Sequence, residues 1–163
     1  GPFKISEGSS IDFSGNSLGF GSFDSIEMIN VGLYAGGEIG VRSLDSITIK
    51  DSEFATRGTG ADYIHLIAAA ELAIDNLRFS EQVRQITMEA MTINLSNLNF
   101  PSGSIVDLRS EYGGIDGIYP NFGTSAPGRV NFIQNVKYNS HLINSRTAFD
   151  THGSNISIGV TGN

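Results

Sequence analysis

Cysteine and tryptophan are both missing from this 163-residue chain, and prolines number only four. Without cysteine there is no disulfide framework, no thiol nucleophile and no cysteine-ligated zinc. Charge is sparse as well: 17% of residues are charged, too few for a long helical bundle rich in Lys and Glu. Basic residues are the scarcer sign, 10 against 17 acidic, for a net charge of −7. Phosphate attraction therefore does not drive binding, and no nucleic-acid partner is expected. No apolar run approaches the roughly 20 residues that span a bilayer, and no basic amphipathic stretch is present, so this segment is not expected to insert into a membrane.

What is present points to turn-rich β structure. Glycines number 20, Asn, Ser and Thr supply much of the polarity, and 39% apolar residues suffice for a continuous core. The length suits one domain over residues 1–163, or a fragment of a longer repeat array. Gly1-Pro2 reads as the remnant of a cleaved tag.

Self-similarity organises the chain. Five eight-residue segments align without gaps: IDFSGNSL from Ile11, IEMINVGL from Ile26, ITIKDSEF from Ile47, LAIDNLRF from Leu72 and INLSNLNF from Ile93. Positions one, three and eight are apolar in all of them. Position five reads Gly15, Asn30, Asp51, Asn76 and Asn97, residue types that tolerate a left-handed backbone. A straight strand buries every second residue, so the slip of the inward phase to position eight predicts a corner at position five.

A second module, apolar–polar–apolar, precedes three of the segments: EIGVRS from Glu38, YIHLIA from Tyr63 and QITMEA from Gln85. SIVDLRS from Ser104 repeats it with no evident partner segment following. Segment starts at 11, 26, 47, 72, 93, 130 and 156 include spacings of 21 and 25 residues, the length of one solenoid coil. The expected fold is all-β, a right-handed parallel β-helix with coils of about 21–25 residues, its hand taken from the general rule for parallel crossovers. ATRGTGAD, between Phe54 and Tyr63, marks a loop, and residues 111–129 form a longer, glycine-rich insertion. Stacking places Ile47, Leu72 and Ile93 at equivalent inward sites, Phe54, Phe79 and Phe100 in an aromatic column, and Asn76 with Asn97 in an amide ladder. The rival is a helix through YIHLIAAAELAIDNLRF, whose alanines favour it. The gapless match of LAIDNLRF to its relatives decides for strands.

The alternation in IHLIAAAELAIDNLRF, together with the C-terminal run GRVNFIQNVKYNSHLINSRTAFDTHGSNISIGV, resembles the β-helical repeats of filamentous haemagglutinin-like and autotransporter-passenger-like bacterial exoproteins. That resemblance implies an exported, elongated scaffold at the bacterial cell surface or outside the cell, touching surfaces, carbohydrate or copies of itself. It implies no catalytic residues.

Other chemistry leaves few traces. Asp150 and His152, with Asp107 and Arg109 about a coil away, are the most suggestive acid–base cluster, yet TAFDTHGSN also reads as an ordinary turn. His65 alternates with Ile64 and Leu66 and so faces outward near Asp62; His141 sits in a polar stretch. Three scattered histidines without HxH or HExxH spacing predict no metal site. YGGIDGIYPN has the look of a calcium-binding nonapeptide but occurs once, and calcium rolls need successive turns. Thr48, Thr87 and Thr92 do not form the regular ladder of an ice-binding face. With no GxGxxG, GxxxxGKS/T or GxSxG motif, no cofactor is expected. Tyr112, Tyr119 and Phe122, in the long insertion, are either ligand-contacting aromatics or a lid folded back on the flank.

Three functions compete on this reading. The first is a non-enzymatic structural or adhesive surface module. The second is a self-assembling subunit stacking end to end through open solenoid edges. The third is a carbohydrate-active β-helix enzyme, a lyase or glycosidase.

Overall fold

The computed structural model describes residues 3–58, 60, 62–110, 129–138, 141–143 and 156–160, the last two stretches as backbone only. Among the described residues every regular element is a β-strand, and they stack as a parallel β-solenoid of about five turns. The stretch with the alanines is β8 (Tyr63–Ala68) and β9 (Glu71–Phe79), not a helix. Gly1-Pro2, almost all of the 111–129 insertion and the Asp150/His152 turn lie outside the described residues.

One face of the stack is a six-stranded sheet. Its order is β3 (Ser17–Ser22), β6 (Glu38–Ser43), β8, β10 (Gln85–Glu89), β12 (Ile105–Ser110) and β15 (Ile156–Val160). The second modules stand in register here: Ile39 pairs with Ile64, Ile64 with Ile86 and Ile86 with Val106. Their alternation is what a sheet with one buried face requires, and Ile39, Val41, Ile64, Leu66, Ile86 and Met88 are all 0% exposed.

The other sheet carries the eight-residue segments. Along it run β1 (Phe3–Ile5), β4 (Ile26–Ile29), β7 (Ser46–Thr56), β9, β11 (Thr92–Phe100) and β13 (Arg129–Tyr138). Two short strands, β2 (Ser10–Asp12) and β5 (Gly32–Ala35), continue the first two coils past the corner, and β14 (His141–Ile143) pairs with β13. Ile26, Ile47, Leu72, Ile93 and Val130 are successive partners along the stack.

The corner has a backbone cause. Asn30, Asp51, Asn76 and Asn97 all have positive φ, between 51° and 63°, the left-handed region that Asn and Asp enter most readily among non-glycine residues. One left-handed residue shifts the alternation by one step, so the inward set becomes positions one, three, six and eight. Val31, Leu77 and Leu98 at position six are buried, and so is Ser52. Position six was invisible in the pattern because Ser52 is polar there. Its hydroxyl donates to the Lys50 carbonyl at 2.8 Å and accepts the Val31 N–H at 3.0 Å, which satisfies a buried polar group at the bend.

Three assignments made from the pattern change. Ile11 does not begin a segment: it pairs with Leu33, a position-eight residue, and the first coil's segment starts at Phe3, opposite Ile26. Phe3 to Ile11 is one residue longer than Ile26 to Leu33, and the left-handed residue is Gly8 (φ 81°), not Gly15. That extra residue hid the true segment, while IDF happened to reproduce the alternation. Ile156 pairs with Val106 and belongs to the six-stranded face. SIVDLRS does have a partner segment, β13, whose Val130 pairs with Ile93. β13 also carries one extra residue, Ile133, bulged opposite the Leu95/Ser96 step of β11, and places Asn135 left-handed at φ 52°.

Candidate functional site

With the apolar side chains turned inward, chemistry is confined to the outward columns. The corner column carries side-chain hydrogen bonds in two pairs. Asn76 Nδ2 donates to Asp51 Oδ1 at 2.9 Å, and Asn135 Nδ2 donates to Asn97 Oδ1 at 3.1 Å. Asn76 and Asn97 do not bond each other. Asn97 Nδ2 turns instead to Asp75 Oδ1 at 2.8 Å, because a carboxylate is the stronger acceptor. A parallel run joins Asn131 to Asn94 at 2.8 Å and Asn94 to Glu71 at 3.0 Å.

Past the corner the stack opens. β9 pairs with β11 only as far as Asp75 and Ser96. Beyond that, Leu77–Phe79 stays paired to β7, and Leu98–Phe100 stays paired to β13. Across the outward side of this region runs a groove of about 640 Å³ lined by residues of β7, β9, β11 and β13. Phe54 (0% exposed) and Phe100 (1%) are core residues, whereas Phe79 is only partly buried and its ring stacks on Phe100 with centroids 6.2 Å apart. On the mouth of the groove, Arg78, Asn99 and Lys137 are exposed, and Glu53 is half-buried. The Glu53 carboxylate accepts the Tyr34 hydroxyl at 2.9 Å, a bond that, with burial, raises the Tyr34 pKa above its ordinary value.

The outer side of the six-stranded sheet holds the second concentration of polar groups. His65 stacks on Tyr63 (centroids 5.0 Å, 27° between planes) and lies flat over Gly40, where any Cβ would come within 2.3 Å of the imidazole. Glycine at 40 is therefore what lets the ring settle on the sheet. Asp107 does not stand free: Arg109 contacts its carboxylate at 2.7 Å and 2.8 Å, and Glu89 lies 4.0 Å from the same guanidinium. Among the described residues no group of three or more potential metal ligands gathers.

The weak binding candidates Tyr112, Tyr119 and Phe122 lie outside the described residues, as do Asp150 and His152, and His141 is described by its backbone alone. Ile47, Leu72 and Ile93 line the core, and Asn76 and Asn97 form the corner. The groove residues Arg78, Asn99 and Lys137 were missed because they read as ordinary outward positions. Their shared column follows from the repeat, but the opening of the ladder beside them carries no signal in the pattern. No protein-family model matches the sequence, and neither curated proteins nor solved structures show a significant likeness to it.

Proposed function

We propose that this chain is a non-enzymatic structural or adhesive module of an exported bacterial β-solenoid, working at the cell surface or outside the cell. The observation that carries the reading is the division of labour within each coil. Apolar residues fill one continuous interior, and hydrogen-bonding side chains repeat outward at the spacing of the coils. Such a surface presents many weak, equivalent contacts in line, which suits attachment through multiple points. The resemblance to haemagglutinin-like repeats supports the same reading.

Saturable binding of the labelled, folded chain to cells, absent for the urea-unfolded chain, is the expected result. Turnover of any polysaccharide in the same preparation would replace it with the enzymatic alternative. One observation favours the second reading, a subunit stacking end to end. The inward residues of the first coil, Ile5, Ile11, Leu18 and Phe20, are only partly buried, so that edge can accept a further coil. Opposing it, β14 runs antiparallel against β13 and occupies the opposite edge past the corner, where an added parallel strand would need to pair. Electron microscopy separates the two: long fibres of coil width belong to the stacking subunit, dispersed short particles to the module.

A further inference from the structure

We infer that Arg57 is an ion-sensitive strap: its side chain reaches over the second coil to hold the first coil on the stack, and its release lets that coil open as a unit. The strap originates in a gap in the first coil's ladder. Ser10–Asp12 pairs with Gly32–Tyr34, and the Phe13 N–H still donates to the Tyr34 carbonyl at 2.9 Å. In a regular parallel ladder the N–H two residues beyond Tyr34, that of Gly36, then bonds the Phe13 carbonyl. Here it donates to the Gly15 carbonyl instead, at 2.9 Å, so two extra residues, Ser14 and Gly15, leave the Phe13 carbonyl outside the ladder. The Arg57 guanidinium takes that acceptor. Its Nη1 donates to the Phe13 carbonyl at 2.6 Å, and its Nη2 bonds the neighbouring Asp12 carboxylate.

The reach starts from the third coil, where Arg57 follows β7. Its own N–H donates to the Gly36 carbonyl of the second coil at 3.0 Å. Beside it stands Asp62, 1% exposed, whose carboxylate accepts the Thr56 hydroxyl at 2.5 Å and the Gly58 and Gly60 N–H groups at 2.8 and 3.0 Å. Backbone anchored before and after Arg57 fixes where its side chain begins. The coil that it holds is the least buried of the described stack. Ile5, Ile11, Leu18 and Phe20 are only partly buried, and they cover Met28, Leu33, Ile39 and Val41 of the second coil, which are fully buried. Opening of the first coil therefore uncovers an apolar layer together with the ladder edges of β4, β5 and β6. The Arg57 and Asp12 side chains are 41% and 73% exposed, so salt screens the pair. Ionic strength thereby sets how often the apolar layer is presented.

The test is hydrogen exchange of the dilute full chain in about 10 mM and about 0.5 M sodium chloride, between which the screening length falls from roughly 30 Å to roughly 4 Å. At low salt Arg57→Gln should lower the protection of β1–β3 about three- to tenfold, the range for an exposed ion pair with a charge-assisted hydrogen bond, and leave β7–β9 unchanged. Raising the salt should act on the parent in the same way and on the variant less. Asp12→Asn combined with Arg57→Gln should lose no more than Arg57→Gln alone, because the two side chains act as one contact. Lys4→Gln, which removes the Lys4–Glu27 pair between the first two coils, should move β1–β3 less than Arg57→Gln does. Unchanged protection of β1–β3 in Arg57→Gln, additive losses, an equal loss in Lys4→Gln, or a loss spread evenly into β7–β9 would each overturn the strap.

Discussion

At the corner a single residue determines the direction of the chain. An L-residue with a Cβ is strained in the left-handed region, and Asn and Asp are the side chains that reduce that strain by local bonding. Asn97 is the most connected of the corner amides, donating to Asp75 and accepting from Asn135. Asn97→Ala should therefore cost about 2–3 kcal/mol, combining left-handed strain with two lost hydrogen bonds. Asn97→Gly, free of strain, should cost about 1 kcal/mol. Urea denaturation gives the order, and equal losses would show that the bonds, not the backbone, dominate. These corner positions were readable because Asn and Asp recur at one place, whereas the capping role of Ser52 was not, since a buried serine looks like any polar residue.

Tyr138 is the residue-scale counterpart inside the core. It is 0% exposed and its hydroxyl donates to the Ser104 carbonyl at 3.0 Å. Burial raises its pKa above the ordinary tyrosine value. Because the folded-state pKa is the higher one, the folded chain holds this proton more tightly. The associated stability is complete below the ordinary value and disappears as pH rises through the folded one. Tyr138→Phe should lose about 1–3 kcal/mol at neutral pH by leaving the carbonyl unpaired. It should also flatten the alkaline fall in melting temperature relative to the parent. An identical alkaline limb in both proteins would assign that fall to other groups.

At the scale of the element, the three phenylalanines of one column are not equivalent. Phe54 and Phe100 are enclosed, and Phe79 lies where β9 leaves β11, with its ring shared between the core and the groove. Phe54→Ala and Phe100→Ala should each cost about 3–5 kcal/mol, and Phe79→Ala clearly less. Chemical denaturation of the three variants checks the ranking, and a Phe79 variant as damaged as the others would mean that the groove closes in solution. The column itself was legible, because segments of equal length bring position eight into line although the coils differ, 25 and 21 residues. The unequal burial was not: it arises from a pairing that stops partway, and strand pairing depends on the neighbours' geometry more than on the segment's own pattern. Coil length also explains why the first coil was misread. Its one additional residue before Gly8 broke the gapless alignment, and alternation of period two can be matched at a false register by chance.

For the whole molecule, a stack in which each coil packs only on its neighbours has a stability that is a sum along one axis, so it varies from end to end. Interior coils bury their inward residues against coils on both sides. The first coil has a neighbour on one side, and its Ile5, Ile11, Leu18 and Phe20 are partly exposed where Met28, Leu33, Ile39 and Val41 of the next coil are fully buried. Local opening should follow that gradient. Hydrogen exchange of the dilute chain should thus be slowest in β7, β8 and β9 and fastest in β1, β2 and β3, with at least tenfold lower protection in the first coil. Concentration makes the measurement diagnostic. If the open edge pairs with another molecule, β1 to β3 must gain protection as the chain is concentrated a hundredfold, while the central strands stay unchanged. With β14 lying antiparallel along the far edge, we expect the exchange profile to be independent of concentration. A concentration-dependent rise confined to β1–β3 would show that the first coil recruits a second copy in spite of β14, and would favour the stacking subunit over the isolated module.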